Sequence, residues 1–218
     1  TLQTLWREDV QPPAARARAQ SGWVWEDSAC ERAFSKLYHD IDFNGLWSIK
    51  MTPPAIKTFL ITGVSSGLGR AFAEGALAAG HQVIGTVRKP EDAERFVELA
   101  PERAYPVQLD ITDYDAIPAA VADAEAMTGP IDVLVNNAGY GHEGVLEEAS
   151  IDDLKRQFAA NVFGPVAMIQ AVLPGMRTRR RGHIVNVTSM GGFITMPGIS
   201  FYNGSKFALE GISEALGK

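Results

Sequence analysis

Thr58-Phe59-Leu60-Ile61-Thr62-Gly63-Val64-Ser65-Ser66-Gly67-Leu68-Gly69 passes from a short apolar run into a turn that carries three glycines. The run from Thr58 to Thr62 has the length and β-branched character of a buried strand. Downstream, the spacing of apolar residues predicts a helix from about Gly69 to Ala79. Glycines in such a turn let the backbone adopt positive φ and approach a ligand with no Cβ in the way. The N-terminus of the helix presents unpaired N–H groups and the positive end of a dipole, a natural seat for a phosphate. The spacing is G-x-x-x-G-x-G, not the G-x-G-x-x-G of the common dinucleotide turn. Its place between strand and helix favours a nucleotide site over a mere tight connection.

Outward from this turn the pattern repeats. Strands are expected at His81 to Val87, Ala104 to Leu109, Ile131 to Val135 and His183 to Val187. Helices are expected at Ala116 to Met127, at about Ile151 to Arg177, and from Phe201 onward. Strands alternating with helices of this length make right-handed crossovers and a parallel sheet. The fold class is therefore α/β, a doubly wound parallel sheet of the Rossmann type. Its ligands belong outside the carboxyl ends of the strands, near the point where strand order reverses.

The first fifty residues differ. All four tryptophans (Trp6, Trp23, Trp25 and Trp47) and the single cysteine, Cys30, lie there, with no sustained periodicity beyond a weak helical patch at Ala33 to Tyr38. Residues 1–50 are expected to be an irregular, non-native or disordered segment, and 51–218 a dinucleotide-binding domain. Met51, just before the first strand, is the expected natural start; a genuine N-terminal extension is the alternative. The pattern stops at Lys218 within a helix, so the C-terminal strands of the domain are expected to be missing. His183 to Val187 would then be an exposed sheet edge.

The 218 residues are 46% hydrophobic and 21% charged, ordinary for a globular domain with a buried core. A net charge of −6 disfavours a nucleic-acid partner. No apolar run approaches the roughly 18–20 residues of a membrane span, so no membrane partner is expected. One cysteine permits no internal disulfide, which makes a cytoplasmic location the expectation. No histidine, cysteine or carboxylate cluster has metal-ligand spacing, so no metal is expected.

Four further motifs accompany the glycine turn. Gly85-Thr86-Val87-Arg88-Lys89-Pro90 ends the second strand without a carboxylate. An acidic residue there would bond a ribose 2′-hydroxyl, whereas Arg88 suits a 2′-phosphate, so NADP(H) is favoured over NAD(H). Asn136-Asn137-Ala138-Gly139 follows the fourth strand, and Ser189 follows the fifth. Tyr202-Asn203-Gly204-Ser205-Lys206 puts a phenol and an ammonium four residues apart, on one face of a helix. A free phenol, with a pKa of about 10, is a poor base near neutrality, and a nearby cation favours its phenolate.

From about Ile56 to Lys218 the sequence resembles the short-chain dehydrogenases/reductases, whose marks are T-G-x-x-x-G-x-G, N-N-A-G and Y-x-x-x-K. The resemblance implies that Gly63, Ser65, Ser66, Gly67, Leu68 and Gly69 hold the cofactor together with Arg88. Asp110 and Ile111 would meet the adenine, and Asn137, Ala138 and Gly139 the nicotinamide side. It implies a catalytic set of Asn161, Ser189, Tyr202 and Lys206, interconverting a small-molecule carbonyl and alcohol. Ser189 would bond the carbonyl oxygen and Tyr202 would pass the proton. Lys206 would favour the phenolate and hold the nicotinamide ribose, and Asn161 would hold a water leading to Lys206. A homodimer or homotetramer is implied as well.

Two alternatives stay open: a dinucleotide-binding sensor without catalysis, and an inactive truncated fragment. The basic cluster Arg177, Arg179, Arg180 and Arg181 sits where a helix ends, which favours a structural role opposing the dipole. His142 either borders the substrate or is an ordinary loop histidine.

Overall fold

A computed structural model describes residues 2–5 and 55–218; the expectations for the rest of the first fifty residues, including the patch at Ala33 to Tyr38, lie outside them. The strands are β1 (Leu2–Leu5), β2 (Thr58–Ile61), β3 (Gln82–Val87), β4 (Ala104–Gln108), β5 (Val133–Asn136) and β6 (His183–Val187). They lie in one sheet in the order β1-β6-β5-β2-β3-β4. The five strands from β2 to β6 are parallel, as expected from the alternating pattern. β2 pairs with β3 on one side and β5 on the other, so the chain reverses its direction across the sheet at β2.

One expectation is corrected. β6 is not an open edge, because Leu2–Leu5 pairs with it antiparallel, from Leu2 opposite Val187 to Leu5 opposite Ile184. An unpaired strand offers a row of free N–H and C=O groups, and even a four-residue segment without alternation can satisfy them.

Side-chain alternation along the central strands divides the core in two. Leu60, Ile84, Leu134 and Ile184 face one side. There they meet α3 (Ile117–Thr128) through Ile117 and Val121, and α5 (Gly164–Arg179) through Met168, Ile169, Val172 and Met176. Ile61, Val83, Val133 and Val135 face the other side, against Ala73 and Leu77 of α1 (Gly67–Ala78) and Phe96 of α2 (Pro90–Val97). Strands covered on both faces read as continuous apolar runs. Burial of a residue such as Phe96 contributes about 2–3 kcal/mol. A Cβ on Gly85 would lie 2.5 Å from Val64 Cγ2 and 2.6 Å from Phe96 Cζ, so the glycine in β3 makes room for both.

α2 was not anticipated, although Pro90 at its first turn and the acids Glu91 and Asp92 are helix-start signals. With Phe96 as its one buried residue, the eight-residue segment lacks a visible apolar stripe. The long helix expected from Ile151 is two helices joined by a π turn: α4 (Ile151–Phe158), the turn Ala159–Phe163, and α5. A reciprocal capping box of Ser150 and Asp153 starts α4. The last helix, α6 (Ser200–Leu216), follows a 3₁₀ turn at Met190–Gly192.

Contrary to expectation, the continuous stretch Ile151–Arg179 contains a window long and apolar enough, by length and composition, to cross a bilayer. In the fold its apolar residues Met168, Ile169, Val172 and Met176 pack against the sheet. The arginine cluster falls at the end of α5, where Arg180 takes the left-handed cap conformation. Arg179 donates to the Ile131 carbonyl at 2.9 Å and Arg181 pairs with Asp132 at 2.8 Å. These arginines tie the helix to the start of β5.

Candidate active site

The turn after β2, the end of β3 and the segment after β5 are stitched together where the sheet reverses. Thr62 Oγ1 accepts from the N–H groups of both Asn137 and Ala138 at 2.9 Å. Asn137 Nδ2 donates to the carbonyls of Thr62 at 2.9 Å and Gly63 at 3.2 Å. Thr86 Oγ1 accepts from Gly63 N–H at 3.0 Å. Gly63 and Gly67 both have positive φ, +72° and +58°. The third glycine serves differently. A Cβ on Gly69 would overlap the Gly63 carbonyl and the Asn137 amide, so Gly69 lets α1 close against the turn.

Ser66 caps α1 in an extended conformation without a side-chain capping bond, so the first-turn amides have no side-chain partner from the cap, and Ser66, Gly67 and Leu68 line the adjoining cleft. That cleft, of about 1120 Å³, runs from Gly63 and Ser65 to Leu68 past Arg88, Asp110 to Thr112 and Asn137 to Gly141, and reaches Tyr202 and Lys206. A glycine cradle, an open helix N-terminus and an elongated cleft across the switch point suit a dinucleotide.

At the far end Arg88 is exposed and lines the cleft. Asp110 Oδ1 accepts from the Thr112 amide at 2.9 Å and hydroxyl at 2.8 Å. The Thr112 amide above all holds this carboxyl below the usual range; burial opposes it, while the Thr112 hydroxyl and the Arg88 charge add to it. The side chain of Asp110 thus builds its own turn, while Ile111 is buried beside it. Lys89, the cap of α2, lies outside the cleft lining.

The two asparagines after β5 divide their work. Asn136, buried, donates to Asn186 Oδ1 at 2.9 Å, and Asn186 donates to Ser213 Oγ at 2.7 Å. This chain of polar side chains locks β5 to β6 and α6. Asn137 serves the glycine turn, Ala138 packs on Gly63, and a Cβ on Gly139 would lie 2.8 Å from Asn161 Oδ1.

Tyr202 and Lys206 share one face of α6, with Lys206 Nζ 5.7 Å from the centre of the tyrosine ring. Lys206 Nζ also donates to the carbonyl of Val187, at the end of β6, at 2.8 Å. Burial pushes the lysine's pKa down from 10.5 to about 8, against the opposing pull of Glu210. Ser189 Oγ accepts from Gly191 N–H at 3.1 Å. Gly191 lies between serine and tyrosine: a Cβ there would stand 3.5 Å from Ser189 Oγ and 3.3 Å from Tyr202 Cε1. Ser189 and Tyr202 therefore lie on either side of Gly191; Tyr202 lines the cleft, whereas Ser189 follows the lining residue Thr188 and is not itself part of the lining.

Asn161, 1% exposed, sits in the π turn. Its Nδ2 donates to the Tyr140 carbonyl at 2.9 Å and to Ser205 Oγ at 3.1 Å, and its Oδ1 accepts from Tyr140 N–H at 3.1 Å. The structure gives this side chain a positioning task, with both amide protons committed to protein. Two supporting residues escaped the sequence. Gln157, fully buried, donates to the Tyr140 carbonyl at 2.6 Å and accepts from His142 N–H at 2.7 Å. Thr86 holds Gly63 as described above. A glutamine in the polar run Ile151–Phe158 carries no local sign of burial, whereas Thr62 was legible as the head of the glycine motif. The His142 ring stacks on Phe201, with centroids 5.5 Å apart. Among the described residues no cluster of histidine, cysteine or carboxylate side chains is placed to hold a metal.

Residues 57–218 match the profile of the short chain dehydrogenase family, and the chain belongs to that family. It is 44% identical over 161 residues to oxidoreductase BOA17 of Botryotinia fuckeliana, covering 73% of this chain and 59% of that protein. It is 43% identical over 160 residues to a 3-ketodihydrosphingosine reductase of Bacteroides thetaiotaomicron, covering 73% and 57%. Among solved structures it resembles a short-chain dehydrogenase from Streptomyces avermitilis, with 45% identity, TM-score 0.73, and 76% and 61% of the two chains covered. A Burkholderia phymatum member solved with NAD matches at 31% identity and TM-score 0.71, covering 76% and 60%. A Burkholderia cenocepacia gluconate 5-dehydrogenase solved with NADP matches at 29% and 0.70, covering 73% and 64%. The family is one of oxidoreductases that use nicotinamide cofactors. The chain spans less than three fifths of the length of the two named relatives.

Proposed function

We propose that the chain is the cofactor-binding and catalytic part of an NADP(H)-dependent oxidoreductase that interconverts a carbonyl and an alcohol. The observation that carries this reading is that Tyr202 and Lys206 line one end of a cleft that the glycine turn and Arg88 also line, with Ser189 beside Tyr202 across Gly191. The nicotinamide cofactor supplies or takes up the hydride. Gly63, Ser65 to Leu68 and the first amides of α1 hold the pyrophosphate, with Gly69 closing α1 on the turn, and Arg88 meets the 2′-phosphate in place of the absent carboxylate. Asp110 and Ile111 border the adenine, and Asn137, Ala138 and Gly139 the nicotinamide side.

At the reacting end Ser189 already accepts a bond from Gly191, so its O–H is free to donate to a carbonyl oxygen. Tyr202 donates or takes up the proton at that same oxygen, and the Lys206 ammonium stabilises negative charge on the phenol oxygen. Asn161 and Gln157 hold the backbone of Tyr140 and His142, which walls the site. Val145 and Leu146 after β5, and Phe193, Ile194 and Met196 after β6, are exposed apolar side chains on the loops that adjoin this end. They suit an apolar ketone, in keeping with a relative named for a 3-keto substrate.

Fluorescence titration with NADPH and NADH tests the cofactor, and Tyr202→Phe tests the chemistry. NADPH is expected to bind more tightly, and the variant to lose turnover while keeping NADPH affinity. Tighter NADH binding would overturn the assignment to Arg88. Binding of neither by a chain folded by circular dichroism would overturn the dinucleotide reading, and undiminished turnover in Tyr202→Phe would overturn the proton donor.

A further inference from the structure

Glu210 is a carboxylate that the proposed chemistry does not use. It is 7% exposed, and neither of its carboxyl oxygens has a hydrogen-bond partner in the described structure. A buried carboxylate with no partner is expensive, and it persists only where something nearby compensates for it. Lys206 stands one turn back on the same face of α6, itself 7% exposed. We propose that Glu210 is a positioning residue, the buried counter-charge that keeps Lys206 an ammonium behind Tyr202; its catalytic meaning rests on the proposed oxidoreductase reading.

The turn that follows Ser189 seals this pair. A Cβ on Gly192 would lie 3.0 Å from Glu210 Cγ and 3.2 Å from the Lys206 carbonyl oxygen, so a side chain there would press on both residues. Gly192 N–H also donates to the Ser189 carbonyl at 3.0 Å, so this one turn residue adjoins Ser189, Lys206 and Glu210. Water is kept from the carboxylate on that side, which strengthens its interaction with the lysine.

Other charges are few around α6. The 3₁₀ turn Met190–Gly192, the π turn Ala159–Phe163 and the strand Leu2–Leu5 bring no titratable residue in their sequences. α4 brings Asp152 and Lys155, exposed and paired with each other, and Arg156, paired with Asp153 and lining the cleft. The loop after β5 brings Glu143 and Tyr140 to the cleft and His142 to Phe201, and Tyr202 itself lies one turn before Lys206. Glu210 is the carboxylate buried on the lysine's own helix face. Burial lowers the lysine's proton affinity, and Glu210 acts in the opposite direction. Further along α6, Glu214 makes the contrasting pair, an exposed bridge to Lys218 at 3.1 Å.

The test is an NMR titration of the Lys206 side chain in the 218-residue chain with labelled lysine, the signal assigned by its loss in Lys206→Met. Glu210→Gln is expected to lower the Lys206 midpoint by about one unit, a tenfold loss of proton affinity, and Glu214→Gln to leave it in place. An unmoved midpoint in Glu210→Gln would sink the proposal. Should Glu210→Gln fold poorly, unfolding of Lys206→Met, Glu210→Gln and the double variant decides. The proposal expects the double variant to be more stable than either single variant, by about tenfold in the unfolding constant. A double variant no more stable than Glu210→Gln alone overturns it. NADPH titration of the same samples separates the two readings. A shifted Lys206 midpoint in a chain that binds no nucleotide would leave the charge pair standing and remove the oxidoreductase reading.

Discussion

Asn161 holds the backbone of Tyr140 from both sides, accepting its N–H at 3.1 Å and donating to its carbonyl at 2.9 Å. The π turn puts the asparagine in this place, four residues beyond a fully buried Gln157 that bonds the same carbonyl from α4. The segment after β5 is therefore fixed by side chains rather than by a strand. We predict that Asn161→Ala, which leaves the Tyr140 N–H without its partner, costs about 2–3 kcal/mol in urea unfolding. The same variant is expected to weaken NADPH binding, because Gly139 packs on the asparagine. Unchanged stability would mean that water replaces the amide at no cost.

Gln157→Leu separates this scaffold from the reacting groups. Gln157 touches neither Tyr202 nor Lys206 through a hydrogen bond, yet it joins Tyr140 to His142. Loss of two buried bonds is expected to cost about 2–4 kcal/mol in urea unfolding. Turnover should fall while the Lys206 titration midpoint stays in place. A moved midpoint would show that the glutamine acts on the lysine's environment.

Much of this was legible before any coordinates. The β-branched runs placed every parallel strand, and the glycine turn located the reversal point, because a buried parallel strand and a glycine-bearing turn leave strong local patterns. Tyr202 and Lys206 were legible as a pair because four residues on a helix make neighbours. Gln157, Asn186 and Ser213 were not, since their burial depends on elements far away in sequence. α2 was missed for lack of an apolar stripe. The pairing of Leu2–Leu5 with β6 left no local pattern, and its register is set by the strand it joins. Glu210 reads as an ordinary helical acid until Gly192 is seen against it.

The glycines of the turn should fail in different ways. In Gly69→Ala the new methyl meets backbone and the Asn137 amide, and the fold cannot give way cheaply. A loss of about 3 kcal/mol or more is expected, with NADPH binding lost along with the turn geometry. Gly67 has φ of +58° and open space around its Cβ position. Gly67→Ala should cost about 1–2 kcal/mol of strain but stay folded, and should weaken NADPH binding because the methyl stands in the cleft. Equal unfolding midpoints for the two variants would contradict this division.

Arg88→Ala isolates the cofactor preference. A charge-assisted bond to a 2′-phosphate is worth about 1.5–3 kcal/mol, so NADPH affinity should fall roughly 10- to 100-fold. NADH, which lacks that phosphate, should bind as before. Both affinities are read by nicotinamide fluorescence, and an equal fall for the two would assign Arg88 to the shared part of the cofactor.

The buried Lys206 also gives stability a pH dependence with a definite sign. Its value in the fold, about 8, lies below its ordinary 10.5, because burial penalises the ammonium. Between those two values the unfolded chain binds more protons than the folded one, so stability must rise with pH across that window. Below about pH 8 the lysine is charged in both states and the full penalty is present. Wild type should therefore gain on Lys206→Met by roughly 3 kcal/mol between about pH 8 and 10.5 in the cofactor-free chain. Urea midpoints for the two proteins at pH 7 and at the upper end of the window measure that gain. If the difference stays constant, Lys206 titrates in the fold as it does in the open chain, and the burial of its ammonium carries no cost that Glu210 would need to offset.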